Sequence, residues 1–340
     1  MKIVRFTKKG LYCIPGKFYL DPWGKVDYAV ISHAHADHAR WGMKHYLCVD
    51  DSKAIIKHRI GKDISIESLP YGIEKSINGV KLSFHPAGHI IGSAQIRLEY
   101  KGHVTVFTGD YKTNPDNLTI PFQSIKCHTF ITESTFGLPL YHWQDDSVIQ
   151  QQMQNWVLNN QQQNKTSVFV GYSLGKSQRI MSLLDGCAPM FVHNSIYQLN
   201  QVIRNSGIKL PKADLWQAAT NKNDIQNNIV IVPPALLGSH MIKRIPNAAI
   251  ALCSGWMQVR GHRRWQAVDA GFVVSDHADW NGLISAVKAT EAEQVYVTHG
   301  YQETFARYLN GIGIAASEVK TEYGTNEDTD TTETEIPKTA

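Results

Sequence analysis

The string ISHAHADH places four potential metal ligands within six residues. His33, His35, Asp37 and His38 follow directly after an apolar run that is typical of a strand. In extended backbone, alternate side chains point to the same side, so His33, His35 and Asp37 would converge. His38 can join them where the chain turns into the next element. Imidazole and carboxylate groups without a thiolate favour zinc or manganese.

Further candidate ligands stand where other predicted strands end. His89 follows the run 82–85, Asp110 follows the run 104–108, and His299 ends the last good strand. Together with the first loop they are enough for two metal ions, with Asp110 able to bridge. Two metal ions about 3.5–4 Å apart can generate hydroxide near neutral pH and neutralise both oxygens of an in-line phosphoryl displacement. The pattern therefore predicts metal-assisted hydrolysis.

The elements that must position these residues are short strands alternating with helices. The chain has 340 residues, 43% of them hydrophobic and 19% charged, so we expect a sizeable core and exclude wholesale disorder. Strands are predicted at 28–31, 80–85, 95–100, 104–108, 129–132, 167–170, 230–232, 249–253, 271–274 and 294–298, and helices over 147–163 and from 176. This alternation is typical of a layered α/β protein.

Cysteines and apolar runs limit the class of protein. The five cysteines are scattered and never form a CxxC pair, which argues against a disulfide framework and against a thiolate zinc site. The N-terminus lacks the apolar run of a signal peptide, and no stretch approaches the roughly 20 apolar residues of a membrane helix. We therefore expect a cytoplasmic protein with no membrane partner.

The charge is unevenly distributed along the chain. Residues 318–340 carry seven acidic residues and two lysines, so a total charge of +4 leaves +9 on the remainder. A body of this charge permits a polyanionic partner. The Thr-, Glu- and Asp-rich residues 320–340 contain few apolar side chains and are predicted to form a disordered acidic tail.

The string HAHADH, the later GH and GD pairs and Asp21 at a strand end resemble the metallo-β-lactamase fold. That fold is an αββα sandwich with a dinuclear site along one edge. The resemblance implies these metal ligands: His33, His35 and His89 for one ion, Asp37, His38 and His299 for the other, and Asp110 between them. Asp21 would orient the ligand loop. Two divalent ions are implied, with zinc favoured and manganese as the alternative.

Three later strings extend the resemblance to the β-CASP branch of this fold, whose members are nucleases acting on DNA or RNA. They are TESTFG with Glu133, SDHAD with His277, and THG with His299. The interval from Glu133 to His277 is long enough for the branch's inserted α/β domain. We therefore expect a metallo-β-lactamase domain in two parts, 1–137 and 273–319, a β-CASP domain at 138–272, and the acidic tail at 320–340.

One segment of the predicted insertion is a candidate phosphate contact. The string GYSLGKS has one residue fewer between its glycines than a P-loop, which excludes a nucleoside-triphosphate site. A glycine turn before a helix N-terminus still favours a phosphate. The candidate contacts are Ser173, Gly175, Lys176 and Arg179.

A second segment, SGWMQVRGHRRW, interleaves basic and aromatic residues. Arginines can clamp phosphates, and tryptophans can stack on unpaired bases. Arg260 and His262 are the candidate substrate contacts here. Trp256 and Trp265 fit a buried core equally well.

Within the β-CASP branch, the strings GYSLGKSQR, GWMQVRGHRRWQAVDAGFVVSDHADW and VTHGY are most similar to bacterial ligase-associated DNA exonucleases. The resemblance runs from about residue 10 to 315. It implies an exonuclease that processes DNA ends in repair, with an ATP-dependent DNA ligase and a helicase as partner proteins. Asp37 and Asp110 would hold the metal ions and accept the nucleophile's proton, and His277, oriented by Glu133, would be the general acid.

Three other functions stay open on the sequence alone. RNA-processing β-CASP ribonucleases, of the kind that process mRNA 3′ ends, share all these motifs, because nothing in the predicted metal site reads a 2′-OH. A small-ester or thioester hydrolase of the same fold is opposed by the long insertion with its basic loops. A non-catalytic scaffold is opposed by the complete ligand set.

Overall fold

Three β-sheets with flanking helices make up the described part of the chain. The computed structural model describes residues 3–217, 220–259 and 268–319. The mixed α/β class predicted from the sequence is confirmed. The predicted acidic tail, 320–340, lies outside the described residues.

The first sheet is built from the first six strands in sequential order. They are β1 (Val4–Thr7), β2 (Gly10–Cys13), β3 (Phe18–Leu20), β4 (Tyr28–Val30), β5 (His45–Val49) and β6 (Ile66–Leu69). The pairs from β1 to β3 are antiparallel, and those from β3 to β6 are parallel. Because β3 and β4 run in the same direction, the loops that follow them meet at one edge of the sheet.

The second sheet has seven strands in the order β19-β18-β11-β10-β9-β8-β7. They are β7 (Lys75–Ile77), β8 (Val80–Pro86), β9 (Ala94–Tyr100), β10 (His103–Phe107), β11 (Thr129–Ser134), β18 (Gln294–Gly300) and β19 (Ala316–Glu318). The strands β10, β11, β18 and β19 pair in parallel, so their carboxyl ends share an edge. The β8–β9 loop lies at this same edge, since β9 begins where β10 ends.

The third sheet is entirely parallel and has the order β14-β13-β15-β12-β16-β17. Its strands are β12 (Thr166–Val170), β13 (Met190–His193), β14 (Asp214–Trp216), β15 (Ile229–Val232), β16 (Ala248–Cys253) and β17 (Ala270–Phe272). Every residue of β12 and β15 is buried. Such continuous burial is expected of central strands covered on both faces.

Helices cover the outer faces of the sheets. They are α1 (Asp50–Ile60), α2 (Asp146–Gln162), α3 (Lys176–Leu183), α4 (Asn194–Asn205), α5 (Lys222–Ile225), α6 (Trp280–Thr290) and α7 (Gln302–Gly311). Among helices of the described ranges, none combines the length and the apolar character needed to cross a bilayer. Four cysteines are buried free thiols, and Cys187 is half-buried.

The first two sheets pack face to face around one apolar core. Leu20 of β3 and Phe84 of β8 belong to the same buried cluster. On the outer side of the second sheet, Leu283 of α6 and Phe305 of α7 pack with Phe130 of β11. This is a layered arrangement of helices outside and two sheets inside.

The third sheet is attached to the first through a helix. Leu199 and Ile203 of α4 lie in one buried cluster with Ile55 and Ile56 of α1. Because α4 connects strands of the third sheet while α1 covers the first, this apolar contact fixes the two parts of the molecule against each other. The turn before α3 is thereby held beside the loop that follows β4.

Candidate metal centre

The predicted metal ligands gather at one edge of the first two sheets. The seven side chains are His33, His35, Asp37 and His38 in the loop after β4, His89 in the β8–β9 loop, Asp110 after β10, and His299 in β18. They form two groups, within each of which the potential ligand atoms lie within 4.8 Å of one another. The parallel strand ends described above produce this convergence.

Asp21 fixes the conformation of the ligand loop through hydrogen bonds. It follows β3 and is fully buried, and its carboxylate accepts bonds from Ser32 N at 2.7 Å, from Ser32 Oγ and from His38 Nδ1 at 2.7 Å. Because the Ser32 hydroxyl donates to Asp21, it accepts from His33 Nδ1, which is 2.9 Å away. Both histidine rings therefore present Nε2 to the centre of the site, as metal ligands require.

The rings of His35 and His89 face each other through one nitrogen each, and in the neutral rings both of these nitrogens are unprotonated. His35 Nε2 lies 3.3 Å from Leu174 O, and His89 Nδ1 lies 2.8 Å from Asp276 O. Since carbonyl oxygens only accept, each of these ring nitrogens must donate. The opposite nitrogens, His35 Nδ1 and His89 Nε2, are then unprotonated in the neutral rings, yet they are 3.0 Å apart. Two lone pairs at this separation repel each other unless a metal ion, or a proton on one of the rings, lies between them.

Asp110 lies between the two groups of ligands. Its Oδ2 is 3.7 Å from His33 Nε2, 3.9 Å from His89 Nε2 and 3.4 Å from His38 Nε2, whereas its Oδ1 is 3.7 Å from His299 Nδ1. The backbone reaches this position through Gly109 at φ +55°, where a Cβ would lie 2.4 Å from Ser32 Oγ. The close neighbour that requires a glycine here is the Ser32 side chain.

Burial and neighbouring charges shift the pKa values of these side chains in different directions. Burial disfavours a charged imidazole at His38, but the carboxylates of Asp37 and Asp110, each 3.4 Å from Nε2, hold the pKa of His38 well above its ordinary value. Burial likewise opposes charge on Asp110, and the neighbouring His38 and His299 hold its pKa well below its ordinary value. By contrast, burial lowers the pKa of His89 well below its ordinary value.

The donor atoms fit a divalent metal ion. His33 Nε2 and Asp110 Oδ1 are buried and have no hydrogen-bond partner among the described residues. Both atoms point to the region that the other imidazole nitrogens surround. Nitrogens bound to zinc at about 2.0–2.1 Å in a tetrahedron are a little over about 3 Å apart, close to the His35–His89 separation. The site suits a divalent metal ion by geometry and by donor type.

Glu133 and His277 form a separate pair beside the metal ligands. His277 Nδ1 lies 2.9 Å from Glu133 Oε1 and 3.0 Å from Oε2. The same carboxylate accepts bonds from Tyr111 N at 2.8 Å, from Thr135 N at 3.2 Å and from Thr135 Oγ1. The ring of His277 packs against that of His89, with centroids 4.6 Å apart. The pair is therefore buried, oriented and adjacent to the ligands.

The glycine turn predicted to bind phosphate makes hydrogen bonds with itself and with the start of α3. Gly175 N donates to Gln178 Oε1 at 2.7 Å, and Ser177 N donates to Tyr172 O at 3.0 Å. The Ser173 hydroxyl lies 2.9 Å from that of Ser195. The amides of Gly175 and Ser177 thus already have acceptors, and the turn contributes the Leu174 carbonyl to His35 instead.

Lys176 and Arg179, predicted as substrate contacts, point into the protein. They are only 1% and 5% exposed. Lys176 Nζ lies 3.0 Å from Asp276 Oδ2 and donates to Val274 O at 2.9 Å. Arg179 lies 3.6 Å from Asp276 Oδ1 and 2.6 Å from Asp146 Oδ1, and it also donates to Ser275 O. In this structure carboxylates of the protein take the place expected for phosphates.

The other predicted substrate contacts, Arg260 and His262, lie outside the described residues, as does Trp265. Trp256, at the start of the same string, is buried and packs on Phe136 with ring centroids 4.9 Å apart. Of the two interpretations left open for Trp256, the structure favours the core.

Asp276 is the site residue that sequence reasoning missed. Its carbonyl holds His89, and its carboxylate pairs with both buried cations. It precedes His277 in the string SDHAD, so its place in a motif was visible. Nothing local in the sequence, however, connects it to Lys176 and Arg179, which lie about a hundred residues earlier.

Comparisons with known proteins found several relatives of this chain. No family model matches the sequence. A probable DNA ligase of Opitutus terrae is 30% identical over 316 residues, which are 92% of this chain and 30% of that protein. An RNase J-like protein of Methanocaldococcus jannaschii is 26% identical over 183 residues, 47% of this chain and 44% of that protein. The cleavage and polyadenylation specificity factor 73 of Drosophila melanogaster is 22% identical over 197 residues, 47% of this chain and 28% of that protein.

The chain thus spans less than half the length of each of these relatives. The names of the RNase J-like protein and of the specificity factor indicate that these two relatives are of the metallo-β-lactamase/β-CASP nuclease family. Among solved structures, a protein of unknown function from Enterococcus faecalis V583 superposes with a TM-score of 0.61 at 12% identity, covering 87% of this chain and 80% of that one. That likeness concerns the fold alone.

A first prediction concerns metal binding. We expect the chain, after removal of metal by chelation, to take up about two equivalents of zinc with three- to six-coordinate geometry and to melt at a higher temperature, because the ion binds only the folded state. His33→Ala should lower the zinc content, measured by elemental analysis. His142→Ala, which changes an exposed histidine, serves as the control. Equal zinc content in both variants would contradict the assignment.

A second prediction concerns the buried cations. Lys176→Met leaves part of the Asp276 charge uncompensated, so the free energy of unfolding should fall by about 3–5 kcal/mol. Chemical denaturation measures this, with Lys165→Met, at an exposed lysine, as the control. If Lys176 instead contacts substrate, the variant will unfold like the control and show only a raised KM.

Proposed function

We propose that this chain is a metal-dependent nuclease that hydrolyses phosphodiester bonds, and more narrowly an exonuclease that processes DNA ends in DNA repair. The observation that carries the nuclease proposal is the close pair of lone-pair nitrogens on His35 and His89, set among buried histidines and aspartates. Such a donor set suits metal ions that act on a phosphate, and relatives named as nucleases support the same reaction class.

The residues divide naturally between two metal ions. We assign His33, His35 and His89 to one ion, Asp37, His38 and His299 to the other, and Asp110 to both. When bound, the ions would polarise the phosphoryl oxygens and lower the pKa of a water molecule. The nitrogen-rich donor set favours zinc, and manganese is the alternative. Asp37 would also accept the proton of the attacking water.

His277 is assigned the role of general acid. Because Nδ1 donates to Glu133, the proton that can leave the ring is on Nε2. The Glu133 carboxylate stabilises the charged imidazolium until that proton passes to the leaving oxygen. Two backbone N–H groups and one hydroxyl donate to Glu133 and fix the orientation of its carboxylate. The carboxylate in turn fixes the orientation of the His277 ring.

We further propose that one metallo-β-lactamase domain, 1–137 and 273–319, is interrupted by a β-CASP domain at 138–272. Two features of the topology support this. All strands of the third sheet lie between residues 166 and 272, and β18 then returns to pair with β11 in the second sheet. The face-to-face sheets and their outer helices support an αββα arrangement.

DNA is the proposed substrate because of how much of the chain each relative matches. The relative named as a probable DNA ligase matches 92% of the chain, whereas the RNase J-like protein and the specificity factor each match 47%. A ligase-named protein that includes a similar segment also supports an ATP-dependent DNA ligase as partner. We add a helicase as a second partner protein for end processing.

An RNA-processing ribonuclease is the second candidate. It is favoured by relatives named RNase J-like protein, endoribonuclease ysh1 and cleavage and polyadenylation specificity factor 73. The candidate metal centre does not distinguish the two, because none of its described contacts selects for or against a 2′-OH.

The third prediction decides between these substrates. With zinc or manganese, the full chain should shorten end-labelled DNA oligonucleotides stepwise from an end and act much more slowly on RNA of the same sequence. Asp37→Ala should abolish cleavage with the fold intact, while Asp185→Ala, at an exposed aspartate, should retain it. Faster RNA cleavage would favour the second candidate, and substantial activity in Asp37→Ala would refute the two-metal model.

The fourth prediction tests the general acid. His277→Ala should lower kcat on DNA by about 10²- to 10⁴-fold, the usual contribution of general acid–base catalysis. Its zinc content should equal that of the wild type. On a p-nitrophenyl phosphodiester, whose leaving group needs no proton, the variant should approach the wild-type rate. Loss of zinc, or an equal loss of rate on both substrates, would show that His277 has another role.

A further inference from the structure

The loop next to the metal ligands presents an exposed tryptophan. Trp41 is 68% exposed, more than any other large apolar side chain in the described part of the chain. Lys25 Nζ lies over its ring at 4.9 Å from the centroid. Tryptophan is highly buried on average, so this ring is a candidate contact surface only in combination with the features that surround it.

Contacts on both sides hold the loop that carries Trp41. Arg40 Nε donates to Asp37 O at 3.3 Å, and Arg40 Nη1 donates to Trp23 O at 3.3 Å. The stem of Lys25 lies along Gly42, where a Cβ would be 3.0 Å from Lys25 Cε. The ring is therefore displayed by a loop that is bonded to its neighbours, with Arg40 as the link to Asp37.

Trp41 lies close to the candidate metal centre. It follows Asp37 by four residues, so the two Cα atoms cannot be more than about 15 Å apart. At about 3.4 Å of rise per stacked nucleotide, this Cα separation corresponds to at most about four nucleotides, to which the lengths of the two side chains add.

The positive charge shown at the ring is that of Lys25. Two further lysines, Lys8 and Lys9, are carried by a turn that contacts the β3–β4 loop holding Lys25, because Trp23 Nε1 donates to Lys8 O at 2.8 Å and Gly24 N donates to Lys9 O at 3.2 Å. Nearby Asp27 is paired with Lys44 at 2.7 Å, so this exposed pair adds no net charge.

We propose that Trp41, with Lys25 and Arg40, forms a base-stacking subsite for unpaired nucleotides of a strand entering the metal centre. The inference rests on the proposed function and names a contact that the function does not require. Every base has a face that can stack on an aromatic ring, and the cations can track the phosphates. The cation–ring contact is weak at an exposed site, so a base can replace it.

Binding to the metal-free full chain tests this proposal without cleavage. In EDTA, fluorescence anisotropy with a labelled single-stranded DNA oligonucleotide should show Trp41→Ala binding about 10-fold more weakly than the wild type, within the usual loss for a base-stacking aromatic residue. Trp41→Phe should bind within about threefold of the wild type, because it keeps a ring that can stack. Binding of a blunt duplex should change little. With metal, Trp41→Ala should raise KM and leave kcat unchanged.

A second aromatic–lysine pair provides the control. Lys101 Nζ lies 5.5 Å from the ring centroid of Tyr100, in the β9–β10 turn at the opposite edge of the second sheet. Tyr100→Ala should bind the oligonucleotide like the wild type. Lys25→Ala should weaken binding about two- to threefold and reduce its salt dependence by about one phosphate contact.

Two results would overturn the proposal. If Trp41→Ala binds single strands like the wild type, the ring does not stack on bases, and a protein partner becomes the better occupant. If Tyr100→Ala weakens binding as much as Trp41→Ala, the effect is not specific to this subsite. A wild-type chain that neither binds nor cleaves any oligonucleotide would instead refute the proposed function, and the subsite with it.

Discussion

The contact between His35 Nδ1 and His89 Nε2 is the constraint on which the rest of the site depends. Two carbonyls, Leu174 O and Asp276 O, each fix one ring so that an unprotonated nitrogen faces the other. These carbonyls belong to the turn before α3 and to the segment after β17, and the two imidazoles come from loops of the first two sheets. The contact therefore forms only when four separate segments have packed together, and it is favourable only when a metal ion or a proton lies between the two nitrogens.

The buried ion pairs explain how these segments are held. Asp276 carries one of the two fixing carbonyls, and its side chain meets Lys176 and Arg179 from α3. Burying charges costs free energy, and a well-formed ion pair does little more than offset that cost. Such pairs therefore contribute more to a defined geometry than to stability. Here the geometry is that of the backbone between Val274 and His277, where both cations also donate to carbonyls. A shift of that backbone would move His89 and His277 together.

Local patterns predicted much of this arrangement, and long-range contacts account for what they missed. The loop after β4 and the strand-end residues Asp110 and His299 were visible because ligand types cluster beside apolar runs. The short strands β1 to β3 and helix α4 were not predicted, because three- and four-residue strands and a mixed Asn/Gln-rich helix carry weak periodic signals. Basic residues in a glycine turn look the same in sequence whether they face phosphate or a buried aspartate. Only the fold places Asp276 against Lys176.

The pairing of buried cations with carboxylates also determines which positive charges can attract an anion. Each buried cation has a carboxylate partner: Lys176 and Arg179 have Asp276 and Asp146, and Lys112 has Asp116 at 2.6 Å. Such pairs cancel internally, so the excess of +9 on the body of the chain must come from its other residues. A polyanion approaching the metal ligands would therefore be attracted by exposed groups such as Lys25, and not by the turn before α3. Long-range attraction and local metal geometry are thus provided by different sets of residues in neighbouring loops.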